Sequence, residues 1–326
     1  MNYANVGRSG LKVSRLCLGT WNFGTRTDEQ EAFRIMDAAL EAGINFFDTA
    51  NHYPNFVNCG RSEEFIGRWF AQGNGRRERV VLATKVYQPM MDPSDGPNNE
   101  GGLSKYKIRR HLEGSLKRLQ TDYVELYQMH HVDRNAGWDE IWEAFEVLTY
   151  QGKIGYAGSS NFPAWCLALA QAAAQERHFL GLISEQHKYN LLCRLPELEV
   201  LPAARKLGIG VLAYSPLANG LLAGKALQPA EGSRAALGKE YAERHRGQFM
   251  AFDALCRDLG ESGANVALAW LLANPAITCA IVGPRTREQL EGSIRAADLA
   301  LDGEALRRLD AAFPGPGGPA PEAYAW

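Results

Sequence analysis

Three strand-like segments of the sequence each end in a side chain that can bind or transfer a proton. One run closes at Asp48, with Tyr53 following a short turn later, and two later runs close at Lys85 and His130. A lysine held charged by a neighbouring aspartate would lower the pKa of a nearby phenol, so the combination predicts a tyrosine tuned as a general acid. The histidine could hydrogen-bond a carbonyl oxygen. Taken singly, Asp48 is more typical of a turn cap and Lys85 of a surface lysine, so the prediction requires that the four residues meet.

The pattern of elements predicts how these residues meet. After a hairpin over residues 3–14, strand-like runs occur at 15–18, 45–48, 80–84, 123–129, 154–158, 181–186, 209–213 and 279–282, and helical patterns at 28–42, 61–71, 104–119, 138–151, 163–175, 197–207, 248–273 and 286–298. Eight strands each followed by a helix predict an α/β fold, the (β/α)8 TIM barrel, whose strand ends share one catalytic rim. We expect a single domain over residues 1–326. Long loops after strands three and seven, at 87–103 and 218–247, would rise over the catalytic mouth and are expected to be lids, binding loops or disordered segments.

Composition narrows the class of protein. The chain has 326 residues, 46% hydrophobic and 22% charged, with a net charge of −2, which is typical of an enzyme with a large core and argues against nucleic acid or an anionic membrane as partner. We find no leader-like start and no 18-residue apolar run. The six cysteines form no Cys-x-x-Cys pair, so we expect reduced cysteines and a cytoplasmic protein.

Two nucleotide-binding patterns and one metal-binding pattern can be set aside. Residues 208–213 match Gly-x-Gly-x-x-Ala but open a strand, whereas a Rossmann fingerprint follows one. Residues 220–225 resemble a P-loop that is one residue short and lacks its Ser or Thr. His130 and His131 are expected to face opposite sides of a strand, and the first strand offers no metal ligand. We therefore predict no metal site, and a metal-dependent hydrolase is a distant alternative.

Polar residues also occur at the later strand ends. Turn chemistry alone could explain Ser160 and Asn161, but Gln186 interrupts a buried strand and must find a partner. A bound amide such as a nicotinamide carboxamide would satisfy both places, and Tyr214 could stack on a flat ring. The segment 283–287 carries two arginines at a helix start, which suits a phosphate group.

These motifs together resemble the aldo-keto reductase superfamily, over nearly the whole chain. The matching segments run from residues 19–21 to residues 283–293 and include Asp48-Thr49-Ala50 with Tyr53, Lys85, Gln128-Met129-His130, Gly158 to Phe162, Gln186 with Tyr189-Asn190, and Tyr214 to Leu217. The similarity is greatest to the branch of bacterial general reductases and potassium-channel beta subunits. The resemblance implies a barrel that binds NADPH without a Rossmann fold. It also implies that Tyr53 is the general acid, Asp48 and Lys85 tune its pKa, and His130 orients the carbonyl.

The resemblance further implies a set of binding residues. Ser160, Asn161 and Gln186 would hold the carboxamide, Tyr214 would stack on the nicotinamide, and Arg285 with Thr286 would lie near the adenosine 2′-phosphate. Gln289 would lie near the adenine, where relatives often carry Glu-Asn in place of Gly292-Ser293, so weaker or rearranged adenine contacts are expected. The other implied cofactor contacts are Gly19, Thr20, Trp21, Asp48, Ser215, Pro216, Leu217, Gly283 and Ser293. The implied substrate contacts are Trp21, Tyr53, His130 and His131.

The expected function is NADPH-dependent reduction of a small-molecule aldehyde or ketone. One alternative is reduction of a conjugated C=C bond or of a nucleotide-linked keto sugar. His130 argues against C=C reduction, since the steroid-reducing branch of the superfamily carries Glu there. Another alternative is a cofactor-sensing regulatory subunit with slow turnover, which the complete set of four residues disfavours. The physiological substrate and the oligomeric state stay open.

Overall fold

A computed structural model describes residues 1–224, 226–229 and 233–323 of the chain. A short antiparallel pair, β1 (Tyr3–Asn5) and β2 (Lys12–Ser14), precedes the barrel. The barrel strands are β3 (Leu16–Gly19), β4 (Phe46–Asp48), β5 (Val81–Val86), β6 (Val124–Met129), β7 (Ile154–Ser160), β8 (Leu182–Lys188), β9 (Gly210–Tyr214) and β10 (Ile277–Val282). All eight are parallel, and β10 pairs with both β3 and β9, which closes the barrel and confirms the predicted TIM-barrel fold.

Helices surround this barrel and connect its strands. They are α1 (Glu29–Glu41), α2 (Arg61–Phe70), α3 (Lys105–Leu119), α4 (Trp138–Tyr150), α5 (Ala164–Glu176), α6 (Val200–Leu207), α7 (Lys239–Arg244), α8 (Arg246–Leu259), α9 (Gly263–Ala273), α10 (Arg287–Ile294) and α11 (Gly303–Ala312). Within the described ranges, no helix is long and apolar enough to cross a membrane.

Alternation along the strands divides the apolar core into two parts. In β3, Leu16 and Leu18 pack in the large cluster with the helices, whereas Cys17 faces the inside of the barrel. The inner cluster takes residues from most strands of the barrel: Cys17, Phe46, Ala83, Leu126, Ile183, Leu212, Cys279 and Ile281. Since side chains two positions apart share a face, the next inward position on β4, β5 and β6 is Asp48, Lys85 and Gln128. A polar layer therefore lies above an apolar one, at the carboxyl ends of the strands.

The hairpin closes the opposite end of the barrel. Val6 and Val13 join the inner apolar cluster, and Arg8 donates from Nη1 to the carbonyl oxygen of Leu207 at 2.7 Å. Gly7 has φ +54 and lies so close to the backbone of Ile183 and Gly208 that an added Cβ would overlap it. Only glycine fits this contact, which seals the amino ends of the strands.

Two sequence predictions about the elements are corrected, and one helix is added. The helix expected at 248–273 is two helices, because Gly260 ends α8 in the left-handed region at φ +64 and Ser262 caps α9. Helix α11 was not predicted. The expected loops contain helical turns, at Pro93–Asn98 in the first and at Ala218–Ala223, Arg234–Gly238 and α7 in the second. Residue 225 and residues 230–232 of the predicted second loop lie outside the described residues.

Candidate active site

A buried ion pair lies at the centre of the polar layer. Lys85, which is 0% exposed, donates from Nζ to Oδ2 of Asp48 at 2.5 Å and to the carbonyl oxygen of Thr49 at 2.8 Å. Oδ1 of Asp48 accepts from the amide groups of Gln128 at 3.0 Å and Gln186 at 2.8 Å. Each charge is thus hydrogen-bonded as well as paired, which is the condition for keeping both ionised inside a protein.

Tyr53 meets this pair from the loop after β4. Its hydroxyl lies 3.4 Å from Nζ of Lys85, and the ammonium group lies 4.8 Å from the centre of the phenol ring. Burial alone would lower the pKa of Lys85, but the Asp48 charge and the Tyr53 phenol raise it overall, so the lysine is charged. The structure therefore brings three of the predicted residues together.

The Lys85 charge lowers the pKa of Tyr53, as predicted, but burial outweighs this effect and the pKa is raised overall. Burial raises the pKa of the phenol, the Lys85 charge opposes this, and the Asp48 charge adds to the rise. Asp48 therefore has two opposed effects, because it holds the ammonium group in place and also repels a phenolate. A raised pKa keeps the phenol protonated at neutral pH, which is the form that can donate a proton.

His130 lies beside the phenol, as predicted. The two ring centres are 5.8 Å apart, and the rings meet edge to face. Burial lowers the pKa of His130 well below its ordinary value, and the charges of Lys85, His52 and His131 lower it further. The imidazole is therefore neutral near pH 7, so it can hydrogen-bond a carbonyl oxygen without carrying a charge.

Two other histidines, His131 and His52, pack against His130 and form with it and Tyr53 one wall of the site. His131 stacks on His130 with ring centres 5.1 Å apart and planes 5° apart, which contradicts the expectation that the two face opposite ways. Strand β6 ends at Met129, so both residues lie beyond the regular alternation of a strand. His52, which sequence reasoning missed, lies 5.1 Å from His130 and from Tyr53, and burial with the Lys85 charge lowers its pKa to about 4. Within the described ranges, no group of three or more His, Cys, Asp or Glu side chains is placed to hold a metal ion.

The residues expected to hold a carboxamide lie directly beside this wall. Asn161 donates from Nδ2 to the carbonyl oxygen of His130 at 3.1 Å, and Tyr214 donates from its hydroxyl to Oδ1 of Asn161 at 2.8 Å. Ser160 donates to the carbonyl oxygen of Gln186 at 2.9 Å. Gln186 already binds Asp48, so it has the partner that the sequence reasoning expected from a bound amide. Asn161 and Tyr214 therefore lie next to His130 on the same rim.

A group of cations lies where the loop after β9 reaches the loops after β3 and β10. The guanidinium carbon of Arg234 is 5.0 Å from the ring centre of Trp21, and Nη2 donates to Oδ1 of Asn219. Burial lowers the pKa of Arg234, and the positive charges of Arg26 and Arg285 lower it further. The three guanidinium groups are thus near enough for their like charges to interact.

Several of the remaining predicted cofactor residues are engaged in holding the loops. Thr20 bonds the carbonyl oxygen of Asp48 through its N–H at 3.0 Å and its hydroxyl at 3.1 Å. Gln289 accepts from the N–H of Arg285 at 2.9 Å, Thr286 caps α10, and Ser293 is buried with its hydroxyl donating to the carbonyl oxygen of Gln289 at 2.9 Å. These hydrogen bonds fix the turn between β10 and α10 and the first turns of α10.

The other predicted cofactor contacts lie at or just after strand ends, on the same rim of the barrel. Gly19 ends β3 against Ile281, and Gly283 follows β10, where its carbonyl oxygen accepts from Nδ2 of Asn22 at 2.8 Å. Ser215 follows β9 with φ +53, and its carbonyl oxygen accepts from Asn190 at 2.8 Å. Pro216 and Leu217 continue the same turn and Trp21 follows β3, 40% exposed.

Comparisons with known proteins show the family of the chain. The model of the aldo/keto reductase family matches residues 15–313. The chain is 63% identical to the uncharacterized oxidoreductase YrpG of Bacillus subtilis (strain 168), over the full length of both. It is 36% identical to a probable voltage-gated potassium channel subunit beta of Oryza sativa subsp. japonica, over 92% of each chain, and 32% identical to protein tas of Escherichia coli (strain K12), over 95% of this chain and 97% of the relative. The chain belongs to the aldo/keto reductase family, and it is an NAD(P)H-dependent oxidoreductase.

Proposed function

We propose that the protein catalyses the NADPH-dependent reduction of an aldehyde or ketone to an alcohol, with Tyr53 as the general acid. The observation that carries the proposal is the position of the Tyr53 hydroxyl, 3.4 Å from a buried, charged Lys85 and beside a neutral His130. When bound, the nicotinamide would supply the hydride that is transferred to the carbonyl carbon. Tyr53 would give its proton to the carbonyl oxygen, and the resulting phenolate would face the ammonium group of Lys85.

The other residues of the site would orient the substrate. A neutral His130 can bind the carbonyl oxygen by a hydrogen bond and direct it towards the phenol. Trp21, and His131 stacked on His130, would contact the rest of the substrate beside the tetrad Asp48, Tyr53, Lys85 and His130. The hydrogen bond of 3.1 Å between the Asn161 side chain and the carbonyl oxygen of His130 supports a nicotinamide site next to the substrate site.

We also propose that the nucleotide is NADPH in preference to NADH. NADPH carries one more phosphate group than NADH, and a site rich in guanidinium groups gains more from the additional charge. Arg285 follows β10 at the start of α10, close enough to Arg234 for its charge to lower the pKa of that side chain. The resemblance to the family supports the proposal, since it implies that Arg285 lies near the 2′-phosphate.

The test is the variant Tyr53→Phe, assayed by NADPH oxidation against aldehydes, simple ketones and enones. Loss of the proton donor should lower kcat by about 100- to 10,000-fold, and the affinity for NADPH, measured by fluorescence titration, should change by less than about twofold. Tyr150→Phe is the matched control, because Tyr150 is 94% exposed on α4. Undiminished turnover in Tyr53→Phe would refute the proposal. Single-turnover behaviour of the unaltered protein with every carbonyl compound would favour a sensing subunit.

A further inference from the structure

Three buried polar residues outside the tetrad form a hydrogen-bonded chain between two loops at the barrel mouth. Nδ2 of Asn51 lies 3.0 Å from Nδ1 of His111, and Nε2 of His111 lies 3.2 Å from Oδ2 of Asp95. Asn51 is 0% exposed, and His111 and Asp95 are each 4% exposed. With the Asn51 amide donating to Nδ1, the hydrogen of the neutral imidazole lies on Nε2 and is donated to Asp95.

The two ends of the chain belong to different loops. Asp95 lies in the helical turn Pro93–Asn98 of the long loop after β5, where Arg110 donates to it from Nε. Asn51 lies two residues before Tyr53, and its N–H donates to the carbonyl oxygen of Lys85 at 3.3 Å. His111 projects from α3 between them. The long loop is thereby joined to the loop that carries the proposed proton donor.

The cost of burial indicates why these contacts must act together. A buried polar group without a partner costs about 1–3 kcal/mol, so opening either bond of the chain is unfavourable. Burial and the Lys107 charge lower the pKa of His111 to about 4, the bonded Asp95 opposes this, and Arg118 adds to the lowering. Near pH 7 the imidazole is therefore a donor at one nitrogen and an acceptor at the other, which fits both neighbours.

We propose that Asp95, His111 and Asn51 position Tyr53 by coupling the loop at 87–103 to the loop that contains it. His111 is a positioning residue, since its ring nitrogens bond to Asn51 and Asp95 and to no member of the tetrad. The inference rests on the proposed function for the role of Tyr53, but the coupling of the two loops stands on the contacts alone. Movement of the long loop away from α3 would remove the Asp95 bond and loosen His111 against Asn51.

Hydrogen exchange measures the coupling without reference to catalysis. Asp95→Asn keeps the size of the side chain and weakens its bonds to His111 and Arg110, so exchange at residues 90–100 should become about tenfold faster. The proposal requires a similar increase at residues 49–56, on the far side of His111. Glu100→Gln is the control, because it removes one negative charge from an exposed position of the same loop and should change neither segment. Faster exchange at residues 90–100 alone would overturn the coupling.

Two variants of His111 test its effect on Tyr53. His111→Phe retains a ring but neither bond, and kcat should fall by about 10- to 100-fold, because a small misplacement of a catalytic group is costly. The affinity for NADPH should stay within about twofold. His111→Gln, which can donate and accept, should restore kcat to within about threefold of the unaltered enzyme and return exchange at residues 49–56 to its original rate.

The outcomes separate this inference from the proposed function. An unchanged kcat in a folded His111→Phe variant, or a loss that His111→Gln does not relieve, would overturn the positioning role. If His111→Phe does not fold, Asp95→Asn decides the question, because it keeps the buried volume: its kcat should fall with NADPH affinity nearly unchanged, and an unchanged kcat would overturn the positioning role. Full activity in Tyr53→Phe would refute the proposed function while leaving the exchange experiment valid.

Discussion

Removing the charge of Asp48 should destabilise the protein as well as inactivate it. In Asp48→Asn, Lys85 would keep its place at 0% exposure but lose its counter-charge. Asn has one acceptor oxygen, whereas Asp48 uses one oxygen for Lys85 and the other for Gln128 and Gln186. The new amide hydrogens would therefore face either the ammonium group or the two glutamine amides, donor against donor.

The magnitude follows from the burial of the pair. Removing one partner of a buried ion pair lowers the free energy of unfolding by about 3–5 kcal/mol, because the other charge is left without compensation. With an unfolding entropy of about 2.1 cal/mol/K per residue, a chain of 326 residues should lose about 4–7 °C in its thermal midpoint. Lys85→Met should cost a comparable amount, since it leaves Asp48 charged and buried.

The double variant Asp48→Asn/Lys85→Met separates stability from activity. With both charges gone, the loss of stability in the double variant should be smaller than the sum of the losses in the two single variants, by a coupling energy of about 2–3 kcal/mol. Its NADPH-dependent turnover should nevertheless stay at least about 100-fold below that of the unaltered enzyme, because no cation faces the Tyr53 phenol. Lys153→Met with Glu113→Gln provides a surface pair for comparison, whose coupling should be below about 1 kcal/mol. Additive losses at Asp48 and Lys85 would refute the reasoning.

Three further predictions use other parts of the structure. Because burial raises the pKa of Tyr53 and lowers that of His130, kcat for reduction should be level from about pH 6 to 9 and fall only above about pH 10, where the phenol loses its proton; an alkaline limb centred below about pH 8 would contradict this. Arg285→Ala should raise KM for NADPH at least about tenfold and leave KM for NADH nearly unchanged, so equal effects on both nucleotides would argue against its role. Gly67→Ala should lower the thermal midpoint, because the added Cβ would overlap backbone of α3, whereas Gly247→Ala meets nothing within 4 Å and should stabilise α8 by about 0.5–1 kcal/mol.

The order of the elements could be predicted because their signals are local. Each barrel strand coincides with an apolar run of the sequence. Eight such runs, separated by helical patterns, predict the parallel barrel that the structure has. The prediction of a single helix over 248–273 was wrong because the apolar periodicity of the sequence continues from α8 into α9. Gly260 and Ser262 are an ordinary stop and an ordinary cap, and giving them more weight would have divided it. Helix α11 also has a signal, in the cap at Asp302 and the buried Ala305 and Leu309.

The site was predictable where it depends on strand ends and unpredictable where it depends on loop paths. Asp48 and Lys85 meet because neighbouring strands have a fixed register, with Asp48 beside Ala83, two positions before Lys85. Gln128 could have been found by the reasoning applied to Gln186, since both are amides in buried strands. The contact between Arg234 and Trp21 depends on how a long loop crosses the mouth, and no pattern of residue types specifies that path.

The polar layer explains how the barrel can hold a charged lysine where the proposed chemistry requires one. An ammonium group in water would affect a phenol 3.4 Å away only weakly, because the dielectric constant of water screens the interaction. Inside the barrel the interaction is stronger, the Asp48 charge offsets the burial that would otherwise lower the pKa of Lys85, and Asp48 in turn accepts hydrogen bonds from the two glutamine amides. The four side chains come from β4, β5, β6 and β8, so closure of the barrel is what assembles them. We therefore expect loss of any one member to alter both stability and the ionisation of Tyr53, and this joint effect distinguishes an interdependent layer from separate catalytic residues.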